Sequence, residues 1–285
     1  MEPRRTPSER PAHGRTLVVF ATLWSLRQYP TRGREWSWAK KFEAIRDARC
    51  DGVFSPPIPA LEERGDLPYL AVTSLDDAGK VAPALEAAKR LGALGVDVQL
   101  GDFDSPVSEM VRLARRIDEV AGDLELPYAI ETHRDTFTET PESTLALARG
   151  FRAATGKVLP LCLDHSHFAV VRHLAPAVFW DRLKEPAELL DAAVQFHLRP
   201  FNGHHCQIPV LTPAGRRTPE YLAWRTYAAR LFEHLQRQPS SAPVWVVPEL
   251  GHAAPSYGLT GFGDTWRDVL TVVKDLRQLW RNPSH

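Results

Sequence analysis

Four apolar segments in the second half of the chain each end in a residue that can bind a metal ion. The segments read YAIE (128–131), LCLD (161–164), VQFH (194–197) and WVVPE (245–249). Their last residues are Glu131, Asp164, His197 and Glu249. Each segment has the length and the apolar character of a buried β-strand. If the four strands run parallel, their carboxyl ends meet at one edge, and the four side chains then surround a single point.

Strand-like and helix-like segments alternate along almost the whole chain. Eight apolar segments, the four above among them, are predicted to form strands at residues 17–22, 52–55, 69–73, 96–100, 127–131, 159–164, 193–197 and 244–249. Several are continuously apolar, which is typical of parallel strands covered on both faces. The amphipathic segments between them are predicted to form helices at residues 36–49, 81–94, 106–121, 141–155, 219–238 and 264–280.

Prolines mark several helix boundaries. Ser105, Thr140 and Thr218 each precede a proline, and a Ser or Thr N-cap followed by Pro is a helix-start signal. The segment 167–190 has a helical pattern that Pro176 and Pro186 interrupt, so it is predicted to form two short helices.

Eight successive strand–helix units predict an α/β protein with a (β/α)8 TIM barrel as a single domain over residues 16–285. The rival architecture, a doubly wound open sheet, usually carries a Gly-rich phosphate turn after its first strand, and this chain has no GxGxxG there. Residues 1–15 are basic and Pro-rich and lack the apolar stretch of a signal peptide, so they are interpreted as a disordered leader.

The overall composition excludes several classes of partner. The chain has 285 residues with 35 basic and 35 acidic side chains, so no net charge attracts it to nucleic acid. The chain contains no run of 18 apolar residues, so no membrane span is predicted. The three cysteines, Cys50, Cys162 and Cys206, form no CxxC motif and predict no disulfide scaffold. The expected compartment is therefore the cytoplasm.

Each of the four strand-end residues also has an ordinary structural interpretation. Glu131 would suit a loop carboxylate, Asp164 a helix cap, His197 a buried core histidine, and Glu249 an ion pair with a nearby arginine. The loops that follow the strands are nevertheless rich in polar side chains, which are costly to bury without a role. Taken together, the four residues predict a metal site that is built mostly from oxygen ligands. That set suits one divalent ion, Mn²⁺, Mg²⁺ or Co²⁺, and Zn²⁺ or Ni²⁺ would also bind it.

The residues above resemble the xylose isomerase-like TIM-barrel superfamily, which contains the sugar phosphate isomerases and epimerases. In ketohexose 3-epimerases of that group, a Glu, an Asp, a His and a Glu at strands five to eight bind one metal ion. The group also has an Asp-x-x-His motif, which Asp164 and His167 match here. Two features depart from the pattern. Arg199 follows His197 by only two residues, and His133 and Arg134 lie where the epimerases have a further glutamate.

The resemblance implies an enzyme that acts on a small carbohydrate-like substrate. Glu131 and Glu249 are then expected to remove and return a proton next to a carbonyl group, through a metal-bound enediolate, which gives epimerisation or isomerisation. The predicted substrate-binding residues are Trp24, His133, Arg134, His167 and Arg199.

Three other functions stay open at this point. A metal-dependent lyase would use the same first proton abstraction, and a non-catalytic barrel would keep only the fold. A type-IV apurinic endonuclease would need histidines in the third and fourth strands, and neither segment has one. The sequence does not determine the substrate or the assembly, for which a homodimer and a homotetramer are both expected candidates.

Overall fold

The computed structural model describes residues 14–251 and 261–282. Within these residues, eight parallel strands form a closed barrel in sequence order. The strands are β1 (Leu17–Thr22), β2 (Gly52–Ser55), β3 (Tyr69–Leu75), β4 (Ala93–Leu100), β5 (Tyr128–Glu131), β6 (Leu161–Leu163), β7 (Ala193–His197) and β8 (Val244–Val247). The predicted (β/α)8 architecture is therefore confirmed.

The barrel encloses a small apolar lumen that is separate from the main core. Phe20, Phe54, Leu70, Val72 and Val247 pack together inside the ring of strands. The larger core lies between the strands and the surrounding helices. Since side chains alternate along a strand, every second residue faces the lumen. The lumen is thus filled at its base by apolar groups, and polar groups such as Glu131 and His197 lie at the carboxyl ends of the strands.

The helices pack outside the barrel. They are α1 (Trp38–Asp47), α2 (Ala78–Arg90), α3 (Val107–Asp123), α4 (Pro141–Thr155), α5 (His165–Val171), α6 (Phe179–Leu183), α7 (Ala187–Asp191), α8 (Pro219–Arg237) and α9 (Thr265–Arg281). Thr140 and Thr218 cap α4 and α8 as predicted, because their hydroxyls accept the backbone N–H groups of Ser143 and Tyr221.

Three local predictions differ from the structure. Ser105 does not cap α3: Pro106 takes the N-cap position, and the Ser105 hydroxyl accepts the backbone N–H of Asp102 instead. Helix α2 ends at Arg90, because Gly92 adopts a positive φ of 73° that reverses the chain into β4. The segment after β6 forms three short helices rather than two, since α5 begins at once at His165.

The predicted leader at residues 1–15 lies almost wholly outside the described residues. Arg15, near its end, is buried, and its guanidinium donates to the backbone carbonyls of Ala242 and Leu235. Among the described residues, none of the helices combines the length and the apolar character that crossing a bilayer requires.

Candidate metal centre

The four predicted ligands lie together at the carboxyl end of the barrel. Glu131 ends β5 and His197 ends β7, while Asp164 follows β6 directly and Glu249 lies two residues beyond β8. One ligand atom from each of the four residues lies within 4.8 Å of the others. Glu131, Asp164 and His197 are buried, and Glu249 is partly exposed. The closure of the barrel therefore brings together residues that are far apart in sequence.

Neighbouring strand ends hold the ligands in place. The Thr132 hydroxyl accepts the backbone N–H of Asp164 at 2.8 Å and joins the ends of β5 and β6. The Gln207 side chain donates to the carbonyl of Gly251 at 2.8 Å and accepts its N–H at 3.2 Å. This second contact fixes the loop that carries Glu249, because Gly251 is only two residues further along the chain.

The spacing of the ligand atoms fits a divalent cation. His197 Nδ1 lies 3.0 Å from Glu131 Oε1 and 3.0 Å from Glu249 Oε2. Two ligands at right angles on a metal with bonds of about 2.1 Å would be about 3.0 Å apart. Glu131 Oε2 is buried without a hydrogen-bond partner among the described residues, and His197 Nδ1 and Glu249 Oε2 make no hydrogen bond of good geometry there, although Glu249 Oε2 forms an ion pair with Arg199. Buried polar atoms are costly to leave unpaired, and a cation between them would satisfy them together.

The charged groups of the centre favour a positive charge beside His197. Burial alone would raise the pKa of Glu131, but the adjacent His197 lowers it to about 2. Burial also opposes protonation of His197, yet Cys162 and then the carboxylates of Glu131, Asp97 and Glu249 hold its pKa well above the ordinary value. The carboxylates thus stabilise a positive charge near His197 Nδ1, which either a proton or a metal ion can supply.

Asp97 is a site residue that the sequence reasoning missed. It lies inside β4, is fully buried, and places Oδ2 3.1 Å from His197 Nε2. Burial, followed by the negative charge of Glu131, raises the pKa of Asp97 to about 7. A carboxylate behind an imidazole fixes the ring so that its other nitrogen faces a metal. The available signal was a charged residue in the middle of an apolar strand, since such residues are seldom fully buried.

Arg199, predicted to bind substrate, lies against the ligands themselves. Its Nη2 lies 2.5 Å from Asp164 Oδ2 and 2.6 Å from His167 Nε2, and its Nε donates to Ser166 Oγ at 3.1 Å. Its Nη1 lies 3.4 Å from Glu249 Oε2. Burial opposes the ionisation of Asp164, but Arg199 and His167 hold the pKa of Asp164 well below its usual value. Arg199 therefore orients the carboxylates of the centre, and a direct contact with substrate stays a prediction.

Asp164 caps α5, as its ordinary structural interpretation predicted, and its role as a metal ligand stays a prediction. Its Oδ1 caps α5 by accepting the backbone N–H of Ser166 at 2.9 Å, while Oδ2 faces the centre beside Arg199. A carboxylate has about four lone-pair positions, so these contacts leave capacity for a metal ion.

His133 and His167 lie side by side at the edge of the centre. Their ring centroids are 4.4 Å apart. His133 Nδ1 donates to the carbonyl of Arg134 at 2.5 Å, and burial lowers the pKa of His133. The neutral ring then presents Nε2 as a hydrogen-bond acceptor. His167 is fully buried, with Nδ1 3.4 Å from Cys206 Sγ. His133 Nε2 is therefore available to a ligand bound at the centre, whereas Arg199 and Cys206 already engage both nitrogens of His167, whose contact with substrate stays a prediction.

Two further predicted substrate contacts lie farther out. Trp24 follows β1 and packs edge-on against Phe54 at a centroid distance of 5.4 Å, so it covers the lumen cluster. Arg134 lies in the loop after β5 and lines a cavity beside the centre. Their contacts with substrate stay predictions.

Comparison with known proteins supports the fold. The sequence matches no protein-family model and none of the curated proteins with which it was compared. Solved structures do match. The 3-keto-D-glucoside 4-epimerase YcjR from E. coli is 16% identical, with a TM-score of 0.56 over 91% of this chain and 99% of that chain. A xylose isomerase-like TIM-barrel protein from Mycobacterium smegmatis, in complex with magnesium, is 14% identical, with a TM-score of 0.56 over 93% and 98%. The probable 3-DHS dehydratase AsbF from Bacillus anthracis is 15% identical, with a TM-score of 0.52 over 91% and 99%.

These similarities show that the chain has the fold of the xylose isomerase-like TIM barrels, as the sequence predicted. At such low identities the likeness concerns the fold, and the chemistry must be argued from the residues at the strand ends.

Replacing Asp97 with Asn should weaken binding of Mn²⁺ by about 10- to 100-fold, because the amide no longer anchors His197 as a carboxylate does. Isothermal titration calorimetry of the metal-free protein measures this directly. Asp47→Asn is the matched control, since Asp47 is exposed on α1 and should leave the affinity unchanged. Equal affinities for wild type and Asp97→Asn would show that Asp97 does not support the centre.

Removing divalent ions with a chelator should lower the unfolding temperature, and adding Mn²⁺ back should raise it. A ligand at 100 times its Kd stabilises the folded state by about 2.7 kcal/mol, which at this chain length corresponds to several degrees. Scanning calorimetry measures the shift, and His197→Ala should abolish it. If none of Mn²⁺, Mg²⁺, Co²⁺, Zn²⁺ and Ni²⁺ changes the transition, the four residues do not form a metal site.

Proposed function

We propose that this protein is a divalent-metal-dependent isomerase or epimerase that acts on a keto sugar or a closely related hydroxy-ketone. The observation that carries the proposal is the approach of two carboxylates, from β5 and β8, to the same imidazole nitrogen at 3.0 Å each. Similar structures include a D-psicose 3-epimerase, an L-ribulose 3-epimerase and a 3-keto-D-glucoside 4-epimerase, and this supports the same class of reaction.

Glu131, Asp164, His197 and Glu249 would hold the metal ion. When bound, the ion would supply Lewis-acid polarisation of a carbonyl and an adjacent hydroxyl oxygen. The protein's own contribution is to hold charged groups in fixed positions around the ion. Asp97 orients His197 from below, and Arg199 orients Asp164 and Glu249 from the side. Such fixed charges need not reorganise when negative charge develops on the substrate.

Glu131 and Glu249 carry the proton transfer in this proposal. They come from strands that are three places apart around the barrel, so they approach a bound substrate from different directions. If one carboxylate removes a proton from a carbon next to the carbonyl and the other returns a proton to the opposite face of that carbon, the configuration is inverted. Return to the neighbouring carbon gives aldose–ketose isomerisation instead. A positioned acid–base group contributes about 10²- to 10⁴-fold.

The two carboxylates differ in their access to water. The Glu131 side chain is 1% exposed and that of Glu249 is 13% exposed. A proton on Glu249 can therefore exchange with solvent, whereas a proton on Glu131 is protected. We expect solvent hydrogen to enter the product chiefly through the step that Glu249 performs.

His133 would contact a hydroxyl group of the substrate, and His167 would hold Arg199 in place. Neutral His133 offers Nε2 as an acceptor, and His167 is held by Arg199 on one side and Cys206 on the other. Rigidly held imidazoles discriminate between hydroxyl configurations, because an unpaired buried polar group is costly.

A metal-dependent lyase or dehydratase is the second candidate. Elimination begins with the same proton abstraction, and the similar structure named as a probable 3-DHS dehydratase supports this alternative. The product distinguishes the two, since an epimerase or isomerase conserves the composition of its substrate and a dehydratase loses water.

The proposal extends to where the protein works. Its three cysteines are buried and unpaired, which favours the reducing cytoplasm. The balanced charge supports a small-molecule partner over nucleic acid. Assembly as a homodimer or homotetramer stays a prediction.

Glu131→Gln and Glu249→Gln should each lower turnover by at least about 10²-fold, because an amide cannot accept the substrate proton. The test is deuterium incorporation from D₂O into a keto sugar in the presence of added Mn²⁺, measured by NMR. The substrates are D-fructose, D-psicose and a 3-keto-D-glucoside. Glu43→Gln is the control, since Glu43 is exposed on α1. Near-native exchange in either glutamine variant would contradict the scheme with two carboxylates. Loss of water from the substrate would favour the lyase.

A further inference from the structure

A polar cavity of about 450 Å³ opens beside the metal centre. Its walls come from the carboxyl ends of β3 and β4, from the loops after β3, β4 and β5, and from the first turn of α2. The residues that matter here are Ser74, Gln99, Lys80, His133, Arg134 and Thr136. The cavity thus lies at the same mouth of the barrel as the proposed ligands, and its volume is in the range of small-molecule sites.

Ser74 and Gln99 continue the polar ring of the centre around the barrel. Each lies two residues beyond a side chain inside the lumen, namely Val72 and Asp97, so each faces inward as well. The two are paired across the strands, and the Ser74 hydroxyl donates to Gln99 Oε1 at 2.9 Å. On β5, the register places Glu131 next to Gln99. The ring of inward polar groups therefore runs from the metal ligands into the cavity without a break.

His133 joins the two spaces. It lines the cavity, and one of its ring nitrogens lies within 4.8 Å of ligand atoms of both Glu131 and His167. A substrate that is held at the centre and is longer than one sugar ring would pass His133 and enter the cavity.

The charges of the cavity favour a neutral occupant. Asp76, Asp102 and Asp135 line it together with two basic residues, Lys80 and Arg134. Lys80 already pairs with Asp76, with Nζ 2.7 Å from Oδ1. A phosphate would face an excess of carboxylates, whereas sugar hydroxyl groups can donate to carboxylates and exchange hydrogen bonds with Gln99 and other amide and hydroxyl groups.

We propose that this cavity is a second subsite for a neutral, hydroxyl-rich group attached to the reacting sugar. The inference rests on the proposed function and specifies its substrate class. The substrate is then a keto-glycoside whose sugar or polyol appendage occupies the cavity, and neither a sugar phosphate nor a free ketose fills both spaces.

Binding of non-reacting probes to the Mn²⁺-loaded protein tests the subsite without turnover. By isothermal titration calorimetry, maltose should bind about tenfold more tightly than methyl α-D-glucoside, because two or three additional hydrogen bonds contribute about that much. Glucose 6-phosphate should show no such gain. In the double variant Ser74→Ala/Gln99→Ala the advantage of maltose should disappear. In the control Gln278→Ala, on the exposed side of α9, the advantage should persist.

Three results would overturn the subsite. The first is equal affinity for maltose and methyl α-D-glucoside, or no binding of either. The second is an advantage of maltose that the double variant retains, and the third is a preference for glucose 6-phosphate. The outcome is separable from that of the proposed function. Proton exchange into free ketoses and glycosides at equal efficiency would support the reaction and reject the subsite. Preferred binding of maltose without exchange in any keto sugar would support the subsite and reject the reaction.

Discussion

Negative charge is concentrated at the carboxyl end of the barrel, and its compensation governs the arrangement of the site. Asp97, Glu131, Asp164 and Glu249 all lie around His197 in a largely buried space. Carboxylates in such a space repel one another strongly unless a positive charge lies among them. Arg199 supplies one positive charge, from the side of Asp164 and Glu249. Glu131, His197 and Glu249 surround the place where a second one is needed, and Glu131 Oε2 has no hydrogen-bond partner there among the described residues.

The barrel is what makes this concentration of charge possible. Parallel strands put their carboxyl ends at one mouth, and the apolar lumen below, with Phe54 and Val247, keeps water out of the base of the site. The same geometry explains the polar cavity beside the centre, since Ser74 and Gln99 occupy on β3 and β4 the position that the ligands occupy on later strands. Metal binding, proton transfer and selection of a longer substrate would therefore share one ring of inward-facing residues.

The fold and the convergence of the four predicted ligands could be predicted because both depend on regular patterns. Strands β1, β2 and β7 have the predicted bounds, and the strand ends determine which side chains meet at the mouth. Asp97 was missed because the search for ligands considered only the ends of strands. The segment VDVQL alternates polar and apolar residues, unlike the continuously apolar strands, and this alternation marks Asp97 and Gln99 as facing the lumen.

Loop geometry was the part that the sequence did not specify. Arg199 lies two residues beyond β7, and nothing in the spacing indicates whether its side chain turns towards Asp164 or towards an incoming substrate. The dual role of Asp164 was equally hidden. Its side chain caps α5 and also faces the centre, and the sequence pattern does not show that one residue does both. Such outcomes depend on which charges the closed barrel brings within reach of one another.

The most direct test of this account is the anomalous diffraction of a crystal grown with Mn²⁺. The account predicts one strong peak at the carboxyl end of the barrel, bonded to Glu131, Asp164, His197 and Glu249, with Asp97 against the far nitrogen of His197. A peak at another place, or no peak with a protonated His197 held between the carboxylates, would contradict the central claim.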